Sequence, residues 1–270
     1  MPLTYSIRDE RFEAWIRALE ARHLADLAFA EVSRALRALS STYVERRQAL
    51  VEGAALAGAG KRAAFALFYG PLHFLLVREI VRALPAARRA SHGTLVDIGC
   101  GTGAAGAAWA SECEPPPGIL AIDKHPWSVG EAAWTYRAFG LAARTRRGDA
   151  GSASLPKKRA MTLAAFTLNE LRDDGARHAL LERLVERARR GDRLLIVEPL
   201  AGAAARWWPL WRDRIVASGG RADEWRFGVE LPPIVAKLDR AAGLDHRELT
   251  GRSLFIDGRS TGGGGRGTTY

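Results

Sequence analysis

VDIGCGTGAAG, residues 96–106, decides the fold. An apolar run, TLVDIG (94–99), ends in Asp97, Ile98 and Gly99. Gly101 and Gly103 follow, and then a stretch of helical character. Glycines at these places let the chain turn sharply and let a ligand approach the backbone. The N-terminus of the following helix adds unbonded N–H groups and positive potential. The segment therefore predicts a strand–turn–helix that holds a nucleotide-like ligand.

Working outward, GILAID (118–123), MTLAAF (161–166) and RLLIVE (193–198) each suit a buried parallel strand, and LAARTRR (141–147) suits a further one. Helical segments lie between them at 103–111, 128–139 and 176–190. Strands alternating with helices predict an α/β fold with a doubly wound, mostly parallel sheet. Toward the C-terminus the sequence predicts a helix after Pro233 and two strands, HRELT (246–250) and SLFID (253–257), forming an antiparallel edge. Residues 259–270 are glycine-rich, bury almost nothing and are expected to be disordered. Upstream, residues 1–90 read as all helix. Apolar residues recur every three or four positions over 7–36. A second helical stretch covers 41–57, and a third covers 61–84, interrupted at Gly70-Pro71. Residues 85–93 carry breakers at both ends and read as a linker. Three parts are thus expected: a helical region over 1–90, a sheet domain over 91–258 and a tail over 259–270.

A chain of 270 residues needs neither disulfide nor metal to hold its core. The two cysteines are Cys100 and Cys113, and Cys100 sits inside the glycine loop. A reducing, cytoplasmic compartment is expected. No Cys/His set has zinc-ligand spacing and there is no HExxH, so no metal is expected. The first residues lack the apolar core of a signal peptide. The most apolar stretch, 63–77, falls short of a membrane span and contains Gly70-Pro71; it reads as a buried or interfacial helix pair, with no membrane partner. The net charge of +10 is carried mostly by arginine, which recognises phosphate through its planar fork and suits RNA. An alanine- and glycine-rich chain from a GC-rich genome also accumulates arginine without any function. Both readings stand open.

GTGAAG (101–106) satisfies the GxGxxG pattern of dinucleotide folds, so NAD must be weighed. Asp97, just before the loop, argues against it: it repels a pyrophosphate and attracts the ammonium of an amino-acid moiety. DIGCGTG resembles motif I of class I S-adenosylmethionine (SAM)-dependent methyltransferases. The resemblance implies a Rossmann-like methyltransferase domain with SAM as cofactor. It puts Asp97 near the methionine end, with the backbone at Gly99, Gly101 and Gly103 lining the cofactor. Asp123 ends the second strand, where a carboxylate can accept hydrogen bonds from both ribose hydroxyls; a helix cap or a surface carboxylate is the plainer role. The resemblance places Asp149, after the third strand, at the adenine amino group; a turn aspartate is the alternative. MTLAAF runs into Thr167-Leu168-Asn169-Glu170-Leu171, the stretch that in this family passes the reactive methyl. Asn169 and Glu170 are therefore the catalytic candidates, against the simpler role of capping a short helix for Thr167 or Asn169. The sequence is not the NPPY type.

Over most of its length the chain is also similar, more weakly, to the methyltransferase-like proteins of mitochondrial small ribosomal subunit assembly and their bacterial relatives. Glu170-Leu171 after strand four and Glu198-Pro199 at the end of strand five carry this similarity. It implies ribosomal RNA or the small ribosomal subunit as partner. The chain departs from that family in having no cysteine after Cys113, which removes four-thiolate ligation of an iron–sulfur cluster. Two rivals to an active methyltransferase remain: a non-catalytic RNA-binding assembly factor with the same loop, and an NAD-linked oxidoreductase. RWWPLWRDR (206–214) offers tryptophan for base stacking, or, more simply, Trp207 and Trp211 four apart on one packed helical face. His125, after Asp123, is a proton acceptor or an exposed loop histidine.

Overall fold

The apolar runs form the middle of a seven-stranded sheet in the computed structural model, which describes residues 7–45, 56–89, 93–171, 173–200 and 206–258. The strands are β1 (Thr94–Ile98), β2 (Gly118–Asp123), β3 (Ala143–Arg147), β4 (Met161–Ala165), β5 (Arg193–Glu198), β6 (Arg221–Gly228) and β7 (Glu248–Asp257). The helices are α1 (Ile7–His23), α2 (Phe29–Glu45), α3 (Ala59–Ala64), α4 (Gly70–Ala83), α5 (Ala104–Ser111), α6 (Pro126–Ala138), α7 (Asp174–Arg189), α8 (Trp208–Val216) and α9 (Pro233–Ala241). The sheet order is β3-β2-β1-β4-β5-β7-β6. The first five strands are parallel, and β7 runs antiparallel between β5 and β6. Strand order reverses between β1 and β4, and ligands of open α/β sheets bind outside the carboxyl ends of the strands at such a point.

Successive side chains of a strand point to opposite faces. Leu95, Leu163, Leu195 and Val197 join one buried cluster with α4, α5, α6 and α9. Val96, Ile98, Ala164, Leu194 and Ile196 join a second with α7 and α8. The first cluster also takes in Trp15, Leu19, Leu36 and Leu39 from α1 and α2, so the N-terminal helices pack on the same sheet face. Buried Glu131 of α6 ties α1 to this layer: its carboxylate meets His23 at 2.8 Å and Arg22 at 3.3 Å.

Four sequence expectations change. The 7–36 pattern divides into α1 and α2, because residues 24–28 leave the helix and Glu31 accepts the Ala28 N–H at 2.9 Å. The second stretch, expected over 41–57, begins inside α2, and its middle lies outside the described residues. Gly70-Pro71 does not interrupt the third helix. A π-helical turn over Phe65–Tyr69 lets the Gly70 N–H reach the Phe65 carbonyl, five residues back, and the helix runs through the missing proline N–H. HRELT and SLFID form one strand, β7, and its edge partner is β6, which the sequence reading did not assign. The tail over 259–270 lies outside the described residues. The helix spanning Ala59–Ala83 has the length and hydropathy of a membrane span, with 72 % of its apolar window buried inside the protein.

Candidate active site

The loop after β1 is built by its glycines, for different reasons. Gly99, Gly101 and Gly103 all have positive φ, at 67°, 52° and 77°, a region open mainly to glycine. A Cβ on Gly99 would collide with Thr167 of the β4 turn. One on Gly103 would lie 2.9 Å from Ala132 of α6. A Cβ on Gly101 would meet only the Phe65 ring edge, at 4.0 Å. Gly99 and Gly103 thus allow close packing, whereas Gly101 fronts open space at the crevice. Gly106, which completes the GxGxxG pattern, is small for another reason: a side chain there would strike the Asp97 carboxylate and the Tyr136 hydroxyl.

Asp97 lies beneath the loop, buried, with Oδ2 accepting from the Tyr136 hydroxyl at 2.7 Å. Burial pushes its pKa up to about 7, against the opposing pull of the Tyr136 and Gly106 hydrogen bonds. Burial, with Asp97 and Asp123 beside it, also raises the Cys100 thiol well above its ordinary range, so it stays protonated. Asp123 braces the loop: Oδ2 accepts the Gly101 N–H at 3.0 Å and Oδ1 the His125 N–H at 2.8 Å. Each carboxylate oxygen has a second lone pair for a ligand hydroxyl. His125 caps α6 through Nδ1, which accepts the Trp127 N–H at 3.2 Å. Asp149 is exposed beyond β3 and accepts the Gly151 N–H at 2.8 Å, the geometry of an Asx turn.

The turn after β4 faces this loop across the switch point. The Thr167 hydroxyl reaches the carbonyls of Ile98 (3.2 Å) and Gly99 (3.1 Å), locking the two loops together. Leu168–Glu170 forms one 3₁₀ turn without a side-chain cap. Its shape is set by Glu198 at the end of β5, which is fully buried. Glu198 accepts the Leu168 N–H at 2.9 Å and the Asn169 amide at 2.7 Å. Burial raises the Glu198 pKa to about 8, with the Leu168 bond and the Arg252 charge pulling it down. The Asn169 carbonyl oxygen in turn accepts Trp207 Nε1 at 3.0 Å. Asn169 is therefore held from two sides. Glu170 is 59 % open to solvent and stands 3.9 Å from Lys124. Partial desolvation still raises its pKa, against the pull of the Lys124 charge.

The tryptophan segment serves this turn. Trp207, Trp208 and Trp211 are all buried, with Trp207 and Trp211 edge-on at 5.3 Å. Packing accounts for them, and Pro209 sits in the first turn of α8. Several arginines are likewise structural. Arg177 holds the carbonyls of Leu168 and Leu171, Arg183 those of Gly151 and Ala153, and Arg187 those of Pro156 and Lys158. They pin the helix-free connection between β3 and β4 and the turn that carries Asn169.

Sequence reasoning missed the opposite wall. Phe65, Tyr69 and His73 project from the π turn and α4. His73 stacks on Phe166 with ring centroids 3.8 Å apart and planes at 13°. Phe166 follows β4 with φ 57°, a conformation disfavoured for an aromatic residue. The signal was present as aromatic residues at four-residue spacing, but the sequence does not say which helix face meets the crevice. A separate hollow of about 190 Å³, beside Leu84, Arg221, Phe255 and Asp257, lies at the other end of the sheet. Among the described residues no three His, Cys, Asp or Glu side chains form a metal-holding group.

No family model and no curated protein matches the chain. Solved structures do. An O-methyltransferase family protein from Burkholderia thailandensis superposes with a TM-score of 0.51 at 16 % identity, over 91 % of this chain and 77 % of that one. The fold is that of class I methyltransferases. A SAM-dependent methyltransferase from Aquifex aeolicus covers 68 % of this chain and 92 % of its own, with TM-score 0.46 and 17 % identity. The N-methyltransferase NodS from Bradyrhizobium japonicum WM9, in complex with S-adenosyl-L-homocysteine (SAH), covers 68 % and 85 %, with TM-score 0.43 and 16 % identity.

Proposed function

We propose that the chain binds SAM at the β1–β4 switch point and transfers its methyl group. The observation that carries this is the pairing of Gly101 and Asp123: an open glycine cradle braced by a carboxylate at the end of the next strand, above buried Asp97. These residues fit the cofactor. Asp123 keeps acceptor capacity for ribose hydroxyls, the backbone over 99–103 meets the amino-acid portion, and Asp149 stands at the rim on the adenine side. Bound SAM supplies a methyl activated on a positively charged sulfur. Glu170 offers negative potential to that charge, and Asn169, fixed by Glu198 and Trp207, orients what approaches it. The site belongs to a protein of a reducing, cytoplasmic compartment.

Arginine content and the Glu170-Leu171 and Glu198-Pro199 pairs favour ribosomal RNA as acceptor. The side chains of the cleft favour a different class of acceptor. Calorimetry with SAM, SAH and NAD tests the cofactor. SAM and SAH are expected to bind, and Asp123→Ala to weaken both at least about tenfold, the loss of a bidentate charge-assisted contact. Binding of NAD in their place overturns the assignment. Methyl incorporation from labelled SAM separates transfer from a purely binding role.

A further inference from the structure

Phe65, Tyr69 and His73 recur every four residues, so they share one helix face. Ring centroids place Tyr69 5.6 Å and His73 6.2 Å from Phe65. Phe166 closes the group against His73. All four rings are only partly buried, although large fully buried side chains surround them. The wall borders the proposed cofactor cradle directly: Phe65 approaches the Gly101 position, and a Cβ on Gly70, at the join of the π turn and α4, would lie 3.3 Å from the Thr102 hydroxyl. Two local distortions maintain it, the π turn and the positive φ of Phe166. Such distortions concentrate at functional sites and are held there by their surroundings. Among the described residues, His73 has no hydrogen-bond partner for either ring nitrogen.

We propose that this aromatic wall is the acceptor subsite and that the acceptor is a flat, uncharged aromatic small molecule. It stacks on the rings of Phe65, Tyr69 and Phe166, and a polar substituent hydrogen-bonds a ring nitrogen of His73. The proposal rests on the methyl-transfer reading. The charge pattern separates this occupant from RNA. Aromatic platforms for single-stranded RNA are accompanied by cations that track the phosphates. The wall itself carries none. Of the neighbouring cations, Lys124 stands against Glu170, and Arg62 donates Nε to the Leu56 carbonyl at 2.9 Å. His73 is recessed enough that burial lowers its pKa to about 3, so it presents a neutral ring at physiological pH. A neutral ring suits an uncharged ligand.

The test titrates the full chain with 1-naphthol, 7-hydroxycoumarin and 1-hydroxyanthraquinone, followed by ligand fluorescence. SAH is titrated in parallel by calorimetry. At least one aromatic probe is expected to bind. Tyr69→Ala and His73→Ala should weaken it about tenfold, the scale of one stacking or buried polar contact. Phe65→Leu preserves apolar bulk and should weaken it less, which keeps the test valid if an alanine variant is unstable. Leu210→Ser, on exposed α8 surface, should change nothing. Absence of binding by every probe, affinities indifferent to the wall variants, or displacement of a bound probe by a single-stranded RNA decamer overturns the proposal. SAH binding without probe binding overturns it while sparing the cofactor reading. Probe binding sensitive to the wall, without SAH binding, removes the cofactor and with it the acceptor role, and leaves an aromatic-binding wall.

Discussion

Asp97 carries its charge where water does not reach. With a pKa near 7 its carboxyl is close to half-protonated at neutral pH. A cationic ammonium bound above the loop favours the anion and expels the proton. SAM affinity is therefore expected to rise between about pH 6 and 8, and binding to release protons, read as calorimetric enthalpies that vary with the buffer. Asp97→Asn keeps an acceptor for the Tyr136 hydroxyl and removes the charge. The fold should persist by circular dichroism, affinity should fall about tenfold and the pH slope should vanish. Unchanged affinity and slope would exclude Asp97 from recognition. Alanine is a poorer choice, since it strands a buried hydroxyl at a penalty of about 1–3 kcal/mol. Glu198 faces two donors, Leu168 N–H and the Asn169 amide. Glu198→Gln replaces one of the two acceptor oxygens by an amide NH2 and should lose about 1–2 kcal/mol in denaturant unfolding at about pH 5, where the wild-type carboxyl is protonated. Methyl transfer should fall with it while SAH affinity holds. The acids at strand ends were legible because the apolar runs fix where strands stop. Their partners were not: Tyr136 lies 39 residues from Asp97, and only folding brings them together.

At the scale of elements, the π turn determines which side chains face the crevice. It absorbs one extra residue ahead of Pro71, whose ring and missing N–H oppose a regular α-helix there. Pro71→Ala restores the N–H and permits ordinary α registry. Phe65 and Tyr69 should then rotate relative to His73. Thermal stability is expected to hold or rise, while binding of the aromatic probe falls. Unchanged probe binding would mean that the turn does not set the wall. The same elements show what sequence pattern carries. β1, β2, β4 and β5 are buried apolar runs, and each announced itself. β6, RADEWRFG, lies at the sheet edge with mixed exposure and charged residues at four of its eight positions, so hydrophobic pattern did not mark it. HRELT and SLFID, expected as two strands, run through Gly251 as one. A Cβ there would lie 2.9 Å from Leu76 of α4, so this glycine records close helix–sheet packing within one strand.

For the whole molecule, buried Asp97 and Glu198 and partly buried His73 border the crevice, and their large shifts dominate how stability follows pH between about 3 and 8. Asp97 moves from 3.8 to about 7, and Glu198 from 4.5 to about 8. Their folded pKa values are raised, so the folded state holds protons that the unfolded chain releases. The stability they contribute is complete below about pH 4 and is lost as pH rises through 7 and 8. His73 works oppositely: its pKa falls from 6.5 to about 3. Between those values the unfolded chain binds the extra proton, and stability rises with pH. His73 therefore offsets one of the two carboxyls until about pH 6.5. Above that pH it no longer contributes, and the decline should steepen, by up to about 1.4 kcal/mol per pH unit for each proton. Thermal midpoints measured from pH 5 to 9 should fall most sharply just below pH 7. Glu198→Gln should remove the part of the decline that extends to pH 8, and His73→Gln should bring the steep portion to lower pH. Bound SAM, by favouring ionised Asp97, should lift the midpoints more at pH 8 than at pH 6. An equal lift at both would separate the buried carboxyl from the ligand and leave the loop backbone and Asp123 to carry recognition alone.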